Sequence, residues 1–299
     1  MNVLIVGSGA REHALAKALS RSGRTPQIFC CATSHNPGIQ PLTKEYWVGD
    51  ICDIEAILKM ALQWKIDFAI IGPEAPLEKG LADLLWKNSI STIGPTKKLA
   101  QIETSKAFTR DLLKKYHIPG SLIYRIFHSL DDVNEFLEQL GEGNYVIKAN
   151  GLMGGKGVKV AGEHLHSLAE SYQFCQEILA TGQSFVIEEK LIGQEFSLLC
   201  FCDGETLVAM PAVQDHKRLL ENDKGPNTGG MGSYSDANHS LPFLTADDLL
   251  QAQKINAAVI KALTEECGER YCEFLYVGVP YPTLVAALCQ LSGFCVGAL

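Results

Sequence analysis

The sequence is short of positive charge. Lys and Arg number 26 against 34 Asp and Glu in 299 residues, a formal net charge of −8, and no long basic run is present. A nucleic-acid face needs clustered cations to neutralise phosphates, so nucleic acid is excluded as the main partner. Zinc-site spacing is missing too. The ten cysteines, at 30, 31, 52, 175, 200, 202, 267, 272, 289 and 295, form no CxxC pair, and no Cys/His spacing suggests a structural metal. The chain opens MNVLIVGSG, a strand and turn, without the charged segment and apolar stretch of a secretory leader. The thiols are therefore expected to be free, mostly buried and in the reducing cytoplasm.

Hydrophobic residues make up 46% of the chain, enough for globular cores, and the length fits about two domains. Asn2-Val3-Leu4-Ile5-Val6 is an apolar run ending at Gly7-Ser8-Gly9, and a helical stretch from Arg11 to Ser20 follows. Gln27 to Cys31, Asp67 to Ile71 and Ile90 to Ile93 read as further strands. Between them, Asp53 to Trp64 carries Ile54, Ile57, Leu58 and Ala61 on one helical face, and Gly80 to Asn88 is helical again. Strands alternating with helices predict a parallel α/β sheet, whose ligands gather beyond the carboxyl ends of the strands.

The turn at Gly7-Ser8-Gly9 is a poor dinucleotide fingerprint. Glu12 stands where a third glycine belongs, and no acid closes the second strand, which runs into Cys30-Cys31-Ala32-Thr33. A turn before a helix N-terminus still suits a phosphate, with Arg11 as a local cation; a bare structural turn fits the same residues.

From Glu103 the pattern changes. Glu103 to Tyr116 reads as one helix. Tyr145 to Asn150 is a strand bearing Lys148, followed by the glycine loop Gly151 to Gly157 with Lys156, then a strand from Val158 to Ala161. Glycines let backbone N–H groups approach phosphate oxygens, and lysines add point charges. The Walker spacing is absent. Phe185 to Leu191 is a strand ending in the paired acids Glu188 and Glu189, and Gln194 to Cys202 is another, turning at Asp203-Gly204. Two segments stand apart: Gln214-Asp215-His216-Lys217-Arg218, an acid and imidazole beside two cations, and Gly225-Pro226-Asn227-Thr228-Gly229-Gly230-Met231-Gly232, expected to be an irregular loop that approaches a small ligand closely.

Taken in order, GSGAREHALA (7–16), IGPEAPLEKG (71–80), QIETSKAF (101–108), VIKANGLMGGKGV (146–158), VIEEKLIGQEFS (186–197), QDHKR (214–218) and GPNTGGMGSYS (225–235) resemble the phosphoribosylamine–glycine ligase family of the ATP-grasp superfamily. The resemblance implies an N-terminal Rossmann-like parallel α/β domain over 1–102 and an incomplete ATP-grasp domain of α+β type over 103–278, with a small nucleotide lobe at about 121–192. It implies ATP-dependent joining of glycine to 5-phosphoribosylamine through glycyl phosphate, with Mg2+ or Mn2+, in a monomer. Carried over by position, the ATP site is Lys106, Lys148, Gly151, Gly154, Gly155, Lys156, Gly157, Glu188, Glu189, Leu191 and, for the ribose, Glu195. The substrate site is Gly9, Arg11, Glu12, Pro73, Glu74, Asp215, His216, Lys217, Asn227, Thr228, Gly229, Gly230, Met231 and Gly232. No covalent nucleophile is implied; Lys148 and Lys217 stabilise charge, and the remainder is positioning.

After about Gly278 the family pattern stops. The family's E-F-N-x-R-F-G-D strand, whose Glu and Asn bind the metal, is absent, and Val277 to Leu299 holds no charged residue. Residues 279–299 are expected to be an aberrant apolar tail and the chain to be catalytically impaired. The stretch after Pro282 is shorter than the ~20 apolar residues of a membrane span and includes Gln290, Ser292 and Gly293. Competing expectations are a different ATP-grasp ligase, a nucleotide-binding remnant without turnover and, most remotely, a nicotinamide dehydrogenase.

Overall fold

The apolar runs of the first hundred residues form strands buried on both faces. The computed structural model describes residues 1–24, 26–152, 157–222 and 224–281. In its N-terminal unit β1 (Asn2–Val6), α1 (Ala10–Ser20), β2 (Gln27–Ala32), β3 (Glu45–Val48), α2 (Ile54–Gln63), β4 (Phe68–Ile71), α3 (Glu74–Glu78), α4 (Leu81–Lys87) and β5 (Ser91–Ile93) follow in turn. The strands pair in parallel in the order β3-β2-β1-β4-β5. Alternate residues of β1 feed opposite cores: Ile5 packs with Ala16, Ile28, Cys30 and Ile39, while Leu4 and Val6 pack with Phe29, Ile57, Ala61 and Leu85. Burial on both faces is why these strands read as unbroken hydrophobic runs. The expected Rossmann-like parallel sheet is present.

The single helix expected over Glu103 to Tyr116 is two helices. Ser105 adopts an extended conformation (φ −132°) between α5 (Gln101–Thr104) and α6 (Lys106–Lys115). Its hydroxyl accepts from the Phe108 N–H at 3.2 Å, capping α6. Periodicity alone does not register such a break, because residues on both sides remain apolar at helical spacing.

The segment expected to be a small nucleotide lobe forms a four-stranded antiparallel sheet from β6 (Tyr124–Phe127), β7 (Tyr145–Ala149), β8 (Val158–Val160) and β9 (Phe185–Glu189), with α7 (Val133–Leu140) and α8 (Leu168–Ala180) between them in sequence. Strand order is β6-β9-β7-β8. Tyr145, Ile147, Ala149, Phe185 and Ile187 point to the core under α7 and α8. Strand alternation turns Lys148 and Glu188 to the opposite face, towards α6.

The remaining elements are β10 (Gln194–Cys202), β11 (Leu207–Ala209), β12 (Gln214–Leu220), β13 (Lys224–Tyr234), α9 (Ala246–Cys267) and β14 (Phe274–Tyr281). The sheet β11-β10-β14 packs on α9 through Phe196, Leu198, Cys200, Val259, Leu263 and Leu275. Thr245 and Asp248 cap the start of α9, and Gly268 ends it at φ 70°. The segment expected to be an irregular loop, Gly225 to Gly232, is instead paired within β13. It forms an antiparallel hairpin with β12 whose register shifts twice, between His216 and Arg218 and between Arg218 and Leu220. Those shifts let glycines enter a ladder that a regular strand would exclude. Residues 282–299, most of the expected tail, lie outside the described residues.

Candidate functional site

At the first turn, the Glu12 side chain is buried and folds back over the start of its own helix. Its Oε2 accepts the Gly9 N–H at 2.6 Å, a carboxylate placed where the helix dipole favours negative charge. Glycine is required opposite: a Cβ on Gly72 would stand 1.9 Å from Glu12 Oε1. Arg11 crosses to the β4 end, donating from Nη1 to the Gly72 carbonyl at 2.6 Å and reaching Glu74 at 3.5 Å. Pro73 precedes Glu74 at the start of α3. Thus Gly9, Arg11, Glu12, Pro73 and Glu74 converge, with Glu12 as an internal cap of α1.

Behind them stand Glu103 of α5 and Glu273. Burial, the Glu74 and Glu273 charges and a hydrogen bond with Glu74 push the Glu103 carboxyl well up, against the pull of Arg11. Burial chiefly pushes Glu273 up, with Arg11 opposing. Neither acid was expected at the site; their sequence neighbours carry no sign that a turn from another domain meets them.

The cationic cluster lies on the α6 side of the four-stranded sheet β6-β9-β7-β8. Lys148 forms an ion pair with Glu188, and Glu188 Oε2 accepts from Arg110 Nε at 2.7 Å. Burial would raise the Glu188 carboxyl, but Lys148 and Arg110 outweigh it and hold the group at about 2. Lys106, at the start of α6, donates to the Gly151 carbonyl at 2.6 Å. Burial, then the neighbouring Lys148 charge, brings its ammonium down to about 8. Asn150 aligns the parts: its Oδ1 lies 3.2 Å from both Ser105 Oγ and the Ala107 N–H, and its N–H donates to the Ser184 carbonyl at 2.9 Å. This one side chain fastens the α6 start to the end of β7. The Ala149 N–H donates to the Gly157 carbonyl at 2.8 Å, closing the loop base. Gly154, Gly155 and Lys156 lie outside the described residues.

Further along, Glu189 Oε1 accepts the Ile123 N–H at 2.8 Å, and Leu191 is half-buried in the linker to β10. Two expected groups then merge. Lys217 Nζ lies 3.4 Å from Asp215 and 3.5 Å from Glu195. The hairpin is fastened beside Glu195 by paired backbone bonds between Ser197 and Val213. Thr228 Oγ1 donates to the Lys217 carbonyl at 2.9 Å and accepts the Gly230 N–H at 3.1 Å. His216 stacks on Tyr234, Gly232 stands opposite His216, and Met231 is exposed. Asn227 and Gly229 lie on the same strand. Arg218 donates to the Gly225 carbonyl at 2.9 Å and to Glu163 at 2.5 Å, and Glu163 also pairs with Lys190 at 3.2 Å. Glu163 follows β8, so one carboxylate ties the four-stranded sheet, the linker and the hairpin together.

Arg110, Asn150 and Glu163 were missed in sequence. Arg110 reads as an ordinary helix cation, and only the strand pairing shows its partner. Asn150 sits beside the glycine loop, the one signal that could have drawn attention to it. No group of three or more His, Cys, Asp or Glu among the described residues is placed to hold a metal ion.

The family model described as phosphoribosylglycinamide synthetase, N domain, matches residues 1–103, and the corresponding ATP-grasp (A) domain matches 104–286. The chain belongs to the phosphoribosylglycinamide synthetase family. The phosphoribosylamine–glycine ligase of Methanosarcina barkeri is 44% identical over 276 residues, 92% of this chain and 63% of that protein. Its counterpart in Methanobrevibacter smithii is 46% identical over 280 residues, with the same coverage of 92% and 63%. The chain thus spans about 63% of the length of these relatives. The crystal structure of phosphoribosylamine–glycine ligase from Thermotoga maritima superposes with a TM-score of 0.74 at 29% identity, covering 94% of this chain and 65% of that one. A D-alanine–D-alanine ligase from Bacillus anthracis shares the fold alone, with a TM-score of 0.66 at 16% identity over 96% and 84% of the two chains.

Proposed function

We propose that the chain takes part in the ATP-dependent ligation of glycine to 5-phosphoribosylamine, forming glycinamide ribonucleotide, ADP and phosphate through glycyl phosphate. The observation that carries this reading is the cluster of Lys106, Lys148 and Arg110 around the single buried carboxylate of Glu188. One carboxylate among three cations leaves positive charge in surplus at the mouth of a glycine loop. A polyphosphate would neutralise it.

ATP, when bound, supplies the phosphoryl group that activates the glycine carboxylate. Lys106 and Lys148 would hold its phosphates, Glu188, Glu189 and Leu191 would border the base, and Glu195 would meet the ribose. Lys217, steadied between Glu195 and Asp215, would face the charge that develops on transfer. Arg11, Glu74 and the hairpin residues would orient the amine-bearing sugar phosphate and glycine. The family membership and the relatives' names support this assignment. The free thiols support the reducing, cytoplasmic setting: each of the eight described cysteines is unpaired, and burial raises Cys30 to about 12. No helix among the described residues is long and apolar enough to cross a membrane.

The test is ADP release by the purified chain, joined if necessary by the complementary C-terminal portion of a relative. Release that depends on glycine and phosphoribosylamine, and not on bicarbonate or formate, supports the assignment. Release with bicarbonate or formate in place of glycine would move the chain to another ligase chemistry.

A further inference from the structure

The amide of Asn150 sits where three elements meet. β7 ends at Ala149, α6 starts at Lys106 after its cap Ser105, and β9 starts at Phe185 after Ser184. The Asn150 backbone N–H donates to the Ser184 carbonyl at 2.9 Å, and its Nδ2 donates to Ser184 Oγ at 3.2 Å. On the other side Oδ1 accepts the Ala107 N–H and the Ser105 hydroxyl, each at 3.2 Å. These partners fix the direction of the amide. The Ala107 N–H can only donate, so an oxygen must face it. The Ser105 hydroxyl, which accepts the Phe108 N–H at 3.2 Å, turns its own proton to that same oxygen. Ser105 and Asn150 together satisfy two of the free N–H groups at the start of α6. The next residue on each side also meets its counterpart: Lys106 donates from Nζ to the Gly151 carbonyl at 2.6 Å.

We propose that Asn150 is a positioning residue for phosphate binding: by pinning the start of α6 to the end of β7, it sets the Lys106 ammonium at the mouth of the glycine loop, where a nucleotide's phosphates would lie. This rests on the nucleotide reading of the site given above, and it assigns Asn150 no contact with the nucleotide. Lys106 comes from a helix and the loop from a strand, with 45 residues between Lys106 and Gly151. β7 pairs with β8 and β9, so no backbone ladder ties it to α6. Arg110 and Glu188 link α6 to β9 one turn further on, which leaves the first turn, with Lys106, to Asn150. An ammonium misplaced by about 1 Å meets a phosphate oxygen poorly, and errors of that size cost up to about a hundredfold.

Loss of this clasp should act on the phosphates and spare the base. The experiment is calorimetric titration of the 299-residue chain and its Asn150→Ala and Asn150→Asp variants with ATP and with AMP. Thermal melting checks the fold of each variant. Asn150→Ala is expected to lose about tenfold or more in ATP affinity and less than about threefold for AMP. Asn150→Asp keeps an oxygen for Ala107 and Ser105, and the Ser184 hydroxyl can turn to donate to the other. It is expected to stay within about threefold of the unaltered chain. A pH series gives a readout that global destabilisation would not move. Burial and the Lys148 charge bring Lys106 down to about 8, with Glu188 of β9 opposing. In Asn150→Ala the first turn is released and Lys106 regains water and distance from Lys148. Its ammonium then rises towards the ordinary lysine range, and the fall in ATP affinity begins at a higher pH. Should Asn150→Ala lose its melting transition, Ser105→Ala, which removes one of the two donors to Oδ1, carries the test through the same ATP-to-AMP comparison and pH midpoint. Equal losses for ATP and AMP would make Asn150 a general support and overturn the proposal. Unchanged ATP affinity in Asn150→Ala, an unmoved pH midpoint, or an Asn150→Asp variant no better than Asn150→Ala would overturn it too. Absence of ATP binding by the unaltered chain would instead overturn the nucleotide reading itself, and this proposal with it.

Discussion

Lys106 makes nucleotide binding depend on pH within an accessible range. Its ammonium is brought from 10.5 to about 8 by burial and by the adjacent Lys148 charge. Phosphate oxygens placed against it would favour the charged form and raise it again. The free protein therefore loses this proton near pH 8 while the complex keeps it, so binding takes up a proton above that pH. Affinity should be flat below about pH 7.5 and fall by about tenfold per pH unit above 8, reaching about tenfold weaker at pH 9 than at pH 7. The sign follows from the free state: the lowered value means the charged form must be restored before it can hold a phosphate. Isothermal titration with ATP in buffers of different ionisation enthalpy would measure both the affinity and the proton uptake. In Lys106→Met the affinity should be lower and the slope above pH 8 should vanish. A flat profile in the unaltered chain, or an unchanged slope in Lys106→Met, would refute the reasoning.

Three further outcomes follow from the geometry. Glu103 is a carboxyl raised by burial and by Glu74 and Glu273, so the stability it supports is lost as pH rises through its folded value; Glu103→Gln should raise the Tm by about 2–4 °C at pH 8, with the gain disappearing at pH 5. Gly72→Ala places a Cβ 1.9 Å from Glu12 Oε1 and should cost about 1–3 kcal/mol in denaturant unfolding, less in a Glu12→Ala background; equal costs in the two backgrounds would show that Glu12 is not the obstacle. Charge reversal at Glu163 or Arg218 should each lower stability by about 0–1 kcal/mol with weakening at high salt, and the double exchange should restore it; an additive double variant would deny their coupling.

Much of the fold could be read from sequence because local and long-range preferences agree. The run Asn2–Val6 is buried on both faces and could only be a central parallel strand. Asp53 caps α2, as the periodicity beginning there suggests. The reading failed where one residue overrides its neighbours. Ser105 breaks a helical pattern by capping the second half, and the two register shifts opposite Arg218 admit a glycine-rich segment into a hairpin. The site was legible where glycines and lysines alternate with strands, around Lys148 and Gly151. It was not legible where partners lie far apart in the chain: Arg110 meets Glu188, and Glu163 meets Arg218, only after the sheets have formed. Glu103 and Glu273 became site neighbours through the same long-range closure.

The most direct measurement is hydrogen–deuterium exchange of the 299-residue chain with and without ATP. Slower exchange confined to the start of α6, the end of β7 with Asn150 and Gly151, and the stretch from β9 to Leu191 is the expected result. ATP that leaves these amides unchanged, or that protects only the turn at Gly7 to Glu12, would contradict a nucleotide seat built on Lys106, Lys148 and Arg110.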